Sequence, residues 1–374
     1  MPHTLPSITV LGAGKIGFAI ALLLKQSGDY RVRVVDRDAK ALKRVAALGC
    51  ETVELDDTVT TKEAIAGQYA VLNALPFKYA FDTASACAQD GIHYFDLTED
   101  VQNTQAIRSI ANTARTVLMP QCGLAPGFIG VAGHGLTAGF DQIHDVKMRV
   151  GALPRFPVNT LRYNLTWSTE GLINEYCNPC EAIVEGQKTE IVALEGLETF
   201  VLDGVEYEAF NTSGGLGTLP DTLLGKARNV DYKSIRYPGH QKMLKVLLDD
   251  LRLRDRRDIL VDIFDHALPA TDQDVIVILV SASGIKEGRL TQSTFTAAIH
   301  GQTVAGHALS AIQLTTACGI CCALDLVRAG QLPQSGFVGQ ERISLKAMLQ
   351  NRFGRVYDNA PLCLGSPQEA ALAA

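Results

Sequence analysis

The apolar positions of this chain follow two rhythms. As far as residue 124, short apolar runs alternate with segments of helical spacing, and each run ends in polar or turn residues. Residues 8–13, ITVLGA, lead into Gly12-Ala13-Gly14-Lys15-Ile16-Gly17, and FAIALLLKQSG follows with helical spacing until Gly28. RVRVVDRD, YAVLNALP, GIHYFDLTED and TVLMPQCGLAPG supply further strands, with helices between them. This alternation predicts a parallel sheet wound with helices.

Beyond Gly123 the rhythm changes. GFIGVAGHGLTAGF predicts a glycine-rich helix, and VKMRVGAL, LRYNLTWS, EIVAL, ETFVL, VDYKSIRY, VIVILVSASG and TFTAAIHG then alternate as strands do. That pattern predicts a mixed or antiparallel sheet with one face covered. A long apolar helix near 305–328 returns to the first domain. The expected fold class is α/β: a Rossmann-type doubly wound parallel sheet, built from residues 1–124 and 305–360. Residues 125–304 form an inserted α+β domain for substrate binding and oligomerisation, and 361–374 form a loose tail.

Length agrees with two domains, since 374 residues exceed one ordinary core. Hydrophobic residues at 47% and charged residues at 20% give a globular profile. A net charge of -6 argues against nucleic acid as a partner, because phosphate neutralisation needs clustered Lys and Arg. The run Arg252-Leu253-Arg254-Asp255-Arg256-Arg257 is broken by an acid and reads as a solvated helix end. MPHTLPSITV lacks a signal-peptide pattern, and no run of about 18 apolar residues stands out, so a cytoplasmic protein without a membrane span is expected. Nine cysteines, an odd number, suggest reduced thiols. Cys177-Asn178-Pro179-Cys180 and Cys318-Gly319-Ile320-Cys321-Cys322 have zinc-like spacing, but the second lies in an apolar helix where Cys acts as a small hydrophobe, and no metal is expected.

The strand, glycine turn and helix at the start make a dinucleotide site. Gly12 permits the turn, Gly14 lets backbone N–H groups approach a pyrophosphate, and Gly17 lets the helix pack on the strand, with Lys15 and Ile16 between them. Asp36 ends the second strand, where it can accept from both ribose hydroxyls and repel a 2′-phosphate. NAD is therefore favoured over NADP, although Arg37 beside it partly compensates. Asn73-Ala74-Leu75-Pro76, Asp96-Leu97-Thr98-Glu99-Asp100 and Gln121-Cys122-Gly123 lie at strand ends and should line the cofactor crevice, or else serve as loop caps.

Three polar stretches mark the second domain: Trp167 to Leu172 with Glu170, Asn211 to Gly217 with Thr212 and Ser213, and NVDYKSIRYPGH with Arg236, Tyr237 and His240. The Arg236 fork suits a carboxylate, Tyr237 and His240 can add hydrogen bonds, and Thr212 and Ser213 with Gly214 and Gly215 can form an anion nest. The same residues also admit a structural reading, with Arg236 paired to Asp231 or Glu170, His240 capping a helix and the glycines turning a hairpin. Hydride transfer from an amine-bearing carbon needs a group that takes up the amine proton, and Glu99, Asp100 and His240 are the candidates. Cys122 reads as a pocket-lining thiol.

Taken in order, GAGKIG, VLNALP, YFDLTED, QCGLAPGF, TWSTEGLINEY, FNTSGG and DYKSIRYPGH resemble the saccharopine dehydrogenase-related oxidoreductases, most of all their lysine 6-dehydrogenase branch, over about residues 5–355. The resemblance implies a homodimeric or larger NAD-dependent enzyme that oxidises the side-chain amine of L-lysine to allysine, which cyclises to a piperideine carboxylate as ammonia leaves. It also implies that Glu170, Thr212, Ser213, Arg236, Tyr237 and His240 contact the amino-acid substrate. Leu97-Thr98-Glu99-Asp100 is closer to the saccharopine reductase and carboxynorspermidine relatives, which makes an opine-forming reductase the alternative. A non-catalytic NAD-binding regulator is the remaining one.

Overall fold

A computed structural model describes residues 5–56, 59–362 and 364. Apart from 361, 362 and 364, the tail expected to be loose lies outside the described residues. The chain divides into two compact units: residues 1–128, 303–309 and 313–374 form one, and residues 129–302 with 310–312 form the other.

The first unit is built on a parallel sheet of seven strands. Six are β1 (Ser7–Leu11), β2 (Arg31–Asp36), β3 (Glu51–Glu54), β4 (Ala70–Asn73), β5 (His93–Asp96) and β6 (Val117–Met119), and the short strand Gly336–Phe337 pairs with β6 at one edge. The order across the sheet is Gly336–Phe337, β6, β5, β4, β1, β2, β3. It runs outward from β1 in both directions, so the topological switch lies between β1 and β4, where such sheets bind ligands. Ile8, Val10, Val34, Val71, Leu72, Tyr94, Phe95 and Leu118 are all buried, as expected for a sheet covered on both faces.

The helix Lys15–Ser27 buries Phe18 through Leu24 and ends where Gly28 takes a left-handed φ of 71°. Gly17 is sterically obligatory, because a Cβ there would sit 1.8 Å from the Gly12 carbonyl oxygen. Gly14 differs: a Cβ there meets nothing within 4 Å.

The second unit has an eight-stranded mixed sheet. Its strands are β7 (Gln142–Pro154), β8 (Cys180–Val184), β9 (Gln187–Ile191), β10 (Glu198–Leu202), β11 (Val205–Asn211), β12 (Ala227–Arg236), β13 (Asp274–Lys286) and β14 (Arg289–His300). The main path is β10-β11-β12-β7-β13-β14, with β8 joining β12 and β9 joining β8. Only β12 and β7 pair in parallel; the other ladders are antiparallel. The helices Thr169–Cys177, His240–Lys245 and Arg257–Ala267 pack together through Leu172, Ile173, Tyr176, Leu244, Leu260 and Phe264.

Two sequence expectations change. LRYNLTWS makes no strand, only a single bridge from Leu165 to Ala270. Arg162 has a left-handed φ of 51°, and the Asn159 side chain takes both the N–H and the carbonyl of Tyr163, which leaves no regular ladder. The long helix begins at Ala311 rather than near 305, because Gln302–Val304 and His307–Leu309 form a hairpin around Ala305 and Gly306, both at positive φ. The Asp274 carboxylate then accepts from the N–H groups of Ala311 and Ile312 at 2.6 and 2.9 Å, which fixes the helix start. Ala311–Arg328 is long and apolar enough to cross a membrane, but 72% of it is buried within the fold. It carries Cys318, Cys321 and Cys322, and all eight described cysteines are free and buried. Among the described residues no three metal-ligating side chains gather.

Gly17→Ala is expected to cost on the order of 2–3 kcal/mol by forcing the glycine turn open, whereas Gly14→Ala leaves stability within about 1 kcal/mol. Chemical denaturation midpoints of the two variants check this; equal midpoints would show that the helix does not pack as closely as described.

Candidate active site

In the first unit the candidate cofactor residues collect at the carboxyl ends of β1, β2, β4 and β5. Asp36 Oδ2 accepts from the Ala13 N–H at 2.5 Å, and Oδ1 accepts from the Asp38 N–H at 2.9 Å. The carboxylate is therefore held against the glycine turn. Gly14 precedes the helix with no side-chain cap, and it and Lys15 are exposed, with Ile16 half-buried. Arg37 points to solvent. These groups fit a dinucleotide: N–H donors for a pyrophosphate and a carboxylate for ribose hydroxyls.

Asn73 is buried and works structurally, donating to Tyr94 Oη at 3.1 Å and accepting from the Leu75 N–H at 3.1 Å. Ala74 and Leu75 are half-buried and Pro76 is exposed. The strongest knot in this region went unnoticed in the sequence. Asp96 Oδ1 accepts from the N–H groups of Thr98 and Gln121 at 3.0 and 2.9 Å, and Oδ2 accepts from Tyr94 Oη at 2.8 Å. Burial raises the Asp96 carboxyl to about 6, despite these donors. The knot ties the segment Leu97-Thr98-Glu99-Asp100 to the end of β6. The Asp96-to-Thr98 bond is an Asx turn, in which an Asp side chain accepts from the backbone two residues on.

Of the proposed acids, Asp100 is committed. It caps the helix Val101–Ala111 by accepting from the Asn103 N–H at 2.7 Å and from Asn103 Nδ2 at 2.9 Å. Asp100, expected as a base, serves as a helix cap, and Glu99 lies half-buried beside it. Cys122 is buried, donates to the Met119 carbonyl at 3.0 Å and receives Gln340 Nε2 at 3.0 Å. Burial pushes its thiol well up, so it is no nucleophile.

The second unit gathers a different cluster at the end of β12. Arg236 is 3% exposed. Its Nε donates to Tyr176 Oη at 2.9 Å, its Nη1 donates to the Ile235 carbonyl at 2.8 Å, and its Nη2 faces Glu175 Oε2 at 3.8 Å. The guanidinium also lies 5.2 Å from the ring centre of Tyr163 and 5.6 Å from that of Tyr176. Asp231 is not its partner, because Arg149 holds Asp231 at 2.8 Å.

His240 lies next to Arg236, as the sequence suggested, but in another role. Its Nδ1 is 2.9 Å from the Leu161 carbonyl oxygen and its Nε2 is 3.1 Å from Tyr176 Oη. A carbonyl only accepts, so Nδ1 carries the hydrogen and Nε2 accepts from Tyr176. Burial first, and the Arg236 charge second, hold the ring at about 3. Both nitrogens are engaged, so His240 is held within the fold rather than left free as the base expected of it. Glu208 sets the start of its helix by accepting from the N–H groups of Gly239 and Gln241 at 2.7 and 2.6 Å.

The remaining candidates separate. Tyr237 points to the other face, donating to the Pro154 carbonyl at 3.0 Å and stacking on Tyr207. Tyr237 lies just past the end of β12, where the chain leaves the strand. Thr212 pairs with Ser234 at 2.8 Å, and Ser213 donates its hydroxyl to the Asn174 carbonyl at 3.2 Å and its N–H to the Glu175 carbonyl at 3.0 Å. Both hydroxyls hold the loop, so the expected anion nest is replaced by a structural tie. Glu170 is exposed, while Trp167 packs its ring over Gly171. Tyr176 and Glu175, which the sequence reading passed over, supply the partners that Arg236 uses.

Residues 8–119 match the family model described as the saccharopine dehydrogenase NADP binding domain, and residues 123–354 match the saccharopine dehydrogenase C-terminal domain. The chain belongs to the saccharopine dehydrogenase family. The fold of this family member is shared with a solved saccharopine dehydrogenase (L-Glu forming) from Saccharomyces cerevisiae, at a TM-score of 0.72 and 15% identity over 94% of this chain and 96% of that one. An engineered D-amino acid dehydrogenase bound to NADP+ matches at a TM-score of 0.47 and 12% identity, covering 96% of this chain and 100% of that one. A myo-inositol dehydrogenase from Corynebacterium glutamicum matches at 0.45 and 11%, covering 95% of each chain. This member of the saccharopine dehydrogenase family is an NAD(P)-dependent oxidoreductase of amino-acid-related substrates.

A ring held at about 3 stays neutral while the unfolded chain takes up a proton as pH falls through about 6.5. Stability from His240 is therefore fully present above pH 6.5 and declines as pH falls toward 3. Nitrogen-15 NMR of the His240 ring is expected to show the neutral Nδ1–H tautomer from pH 8 down to 5; an imidazolium signal appearing near pH 6.5 would contradict the assignment.

Proposed function

We propose that this protein catalyses the NAD-dependent oxidative deamination of the side-chain amine of L-lysine. L-Lysine, NAD+ and water give allysine, NADH, ammonium and a proton, and allysine cyclises to a piperideine carboxylate. The observation that carries the reading is Arg236: a buried, permanently charged fork whose Nη2 edge has only a 3.8 Å ion pair. An α-carboxylate would complete its coordination.

Bound NAD supplies the acceptor for the hydride leaving the amine-bearing carbon. The chain does the rest. Asp36, already seated on the glycine turn, suits two free ribose hydroxyls and opposes a 2′-phosphate, which supports NAD over NADP. Arg236 neutralises and orients the substrate carboxylate, with Tyr176 and His240 fixing the direction of its fork. The side-chain ammonium must also lose a proton before its carbon gives up hydride.

A second reading is an opine-forming reductase. It is favoured by the segment Leu97-Thr98-Glu99-Asp100 and by the full-length likeness to the yeast saccharopine dehydrogenase (L-Glu forming). The two readings differ in direction and in the number of substrates.

Purified protein with NAD and L-lysine at alkaline pH is expected to form NADH, with far weaker rates on ornithine and with NADP. Reduced-cofactor consumption that requires both an amino acid and an aldehyde or keto acid, with no lysine-dependent NADH, would transfer the assignment to the second reading.

A further inference from the structure

Asp96 is a buried acid that the proposed reaction does not use, and it lies where a cofactor belongs. The parallel sheet has two halves, on either side of the switch between β1 and β4. Asp36, at the end of β2, marks the half that takes the adenosine, so the carboxyl ends of β4, β5 and β6 face the nicotinamide half of a dinucleotide. Asp96 closes β5 there and is 2% exposed. Its position is fixed twice over. The Gln121 N–H that its side chain holds belongs to a residue at a left-handed φ of 65°, and its own carbonyl accepts from the Cys122 N–H at 2.8 Å.

The hydrogen bonds of this carboxyl accommodate a proton as readily as its absence. Oδ1 accepts from two backbone donors, Thr98 and Gln121, while Oδ2 meets the hydroxyl of Tyr94. That hydroxyl has a second acceptor within reach, the Ala80 carbonyl at 3.1 Å, and itself accepts from Asn73 Nδ2. A phenol has one hydrogen to give. With Asp96 ionised, the hydrogen goes to Oδ2. With a proton on Oδ2, the acid donates to Tyr94 and the Tyr94 hydrogen turns to Ala80. Every partner is kept in both states, so the charge can change while the loop it anchors stays where it is. Neighbouring titratable groups do not cancel that charge. Burial keeps Tyr94 on the same strand, Cys122 on the turn after β6, and Cys87 on the helix Ala80–Asp90 in their neutral forms. β4 contributes the uncharged Asn73, and the loop that Asp96 anchors continues into two more acids, Glu99 and Asp100.

We propose that Asp96, exchanging its proton through Tyr94, is a buried charge at the nicotinamide half of the cofactor site that sets the preference for oxidised over reduced cofactor and makes it depend on pH. The oxidised nicotinamide ring is a cation and the reduced ring is neutral, so an ionised carboxylate attracts the first and not the second. Oxidised cofactor therefore drives the proton off Asp96 into solvent, whereas reduced cofactor leaves it in place. Burial, which raises the carboxyl to about 6, puts the exchange in the neutral to mildly acidic range. Asp96 would act in this way whichever amine is oxidised.

The test is binding, with the full-length protein and the pair it takes, NAD+ with NADH or NADP+ with NADPH. Isothermal titration gives the dissociation constants from pH 5.5 to 8. The ratio of the oxidised to the reduced constant is expected to be about threefold or more higher at pH 5.5 than at pH 8. In Asp96→Asn the amide accepts from Thr98 and Gln121 and donates to Tyr94, as the protonated acid does, so the ratio should stay nearly level at the acidic value. Oxidised cofactor added at pH 6 in two buffers of different protonation enthalpy should release a fraction of a proton, and Asp96→Asn should release none. A flat ratio in the wild-type protein would overturn the proposal. A pH dependence that persists in Asp96→Asn would overturn it as well, by moving the effect to Glu99 or Asp100. If Asp96→Asn does not fold, carbon-13 NMR of wild-type protein labelled at its aspartate carboxyls replaces it. A carboxyl that titrates near pH 6 and shifts to lower pH when oxidised cofactor binds supports the proposal, and a spectrum without one overturns it.

Discussion

The second unit is organised around one charge kept out of water. A guanidinium buried at the end of β12 would ordinarily cost several kcal/mol in lost hydration. Tyr176, the Ile235 carbonyl, Glu175 and two aromatic faces replace that hydration. Each partner arrives from a different place: Glu175 and Tyr176 from the helix Thr169–Cys177, Tyr163 from the irregular segment before it, and Ile235 from β12 itself. The helix is held in turn by Ser213, and His240 is aimed by the caps that Glu208 provides. The hydrogen bonds run one way, from Arg236 to Tyr176 to His240 to the Leu161 carbonyl, and this keeps the guanidinium fixed and the imidazole neutral. Rigidity of this kind suits recognition of a planar carboxylate, because the fork does not have to be ordered when the ligand arrives.

The first unit applies the opposite sign of charge in the same manner. Asp96 collects donors from three neighbouring segments at the carboxyl ends of the strands and so fixes the loop that bears Glu99. Asp36 closes the glycine turn. In both units a buried charge is tied by backbone and tyrosine partners.

How much was legible in the sequence depended on the range of the interaction. The glycine turn, its helix and Asp36 lie within a short stretch, and local period and spacing reveal them. Gly17 is dictated by a neighbour five residues away, so its identity is readable directly. Arg236 stood out as an arginine in an alternating run, but its partners come from a helix some sixty residues earlier and no local pattern connects them. Tyr237 adjoins Arg236 in sequence, yet it lies past the end of β12 and its side chain meets Pro154 and Tyr207 instead. LRYNLTWS had the right period and the wrong structure, because the Asn159 side chain and the left-handed Arg162 take the backbone elsewhere. Asp100 looked catalytic by composition and is a cap by position, three residues before Asn103.

The most direct test of the account is to follow the hydride itself. With L-lysine deuterated at carbon 6 and unlabelled NAD, proton NMR of the reduced cofactor is predicted to show deuterium at the nicotinamide ring, with a matching decrease in rate when that step limits turnover. A reduced cofactor that acquires no deuterium from carbon 6, or one that acquires it in a parallel sample deuterated at carbon 2, would contradict the assignment of a side-chain amine dehydrogenase.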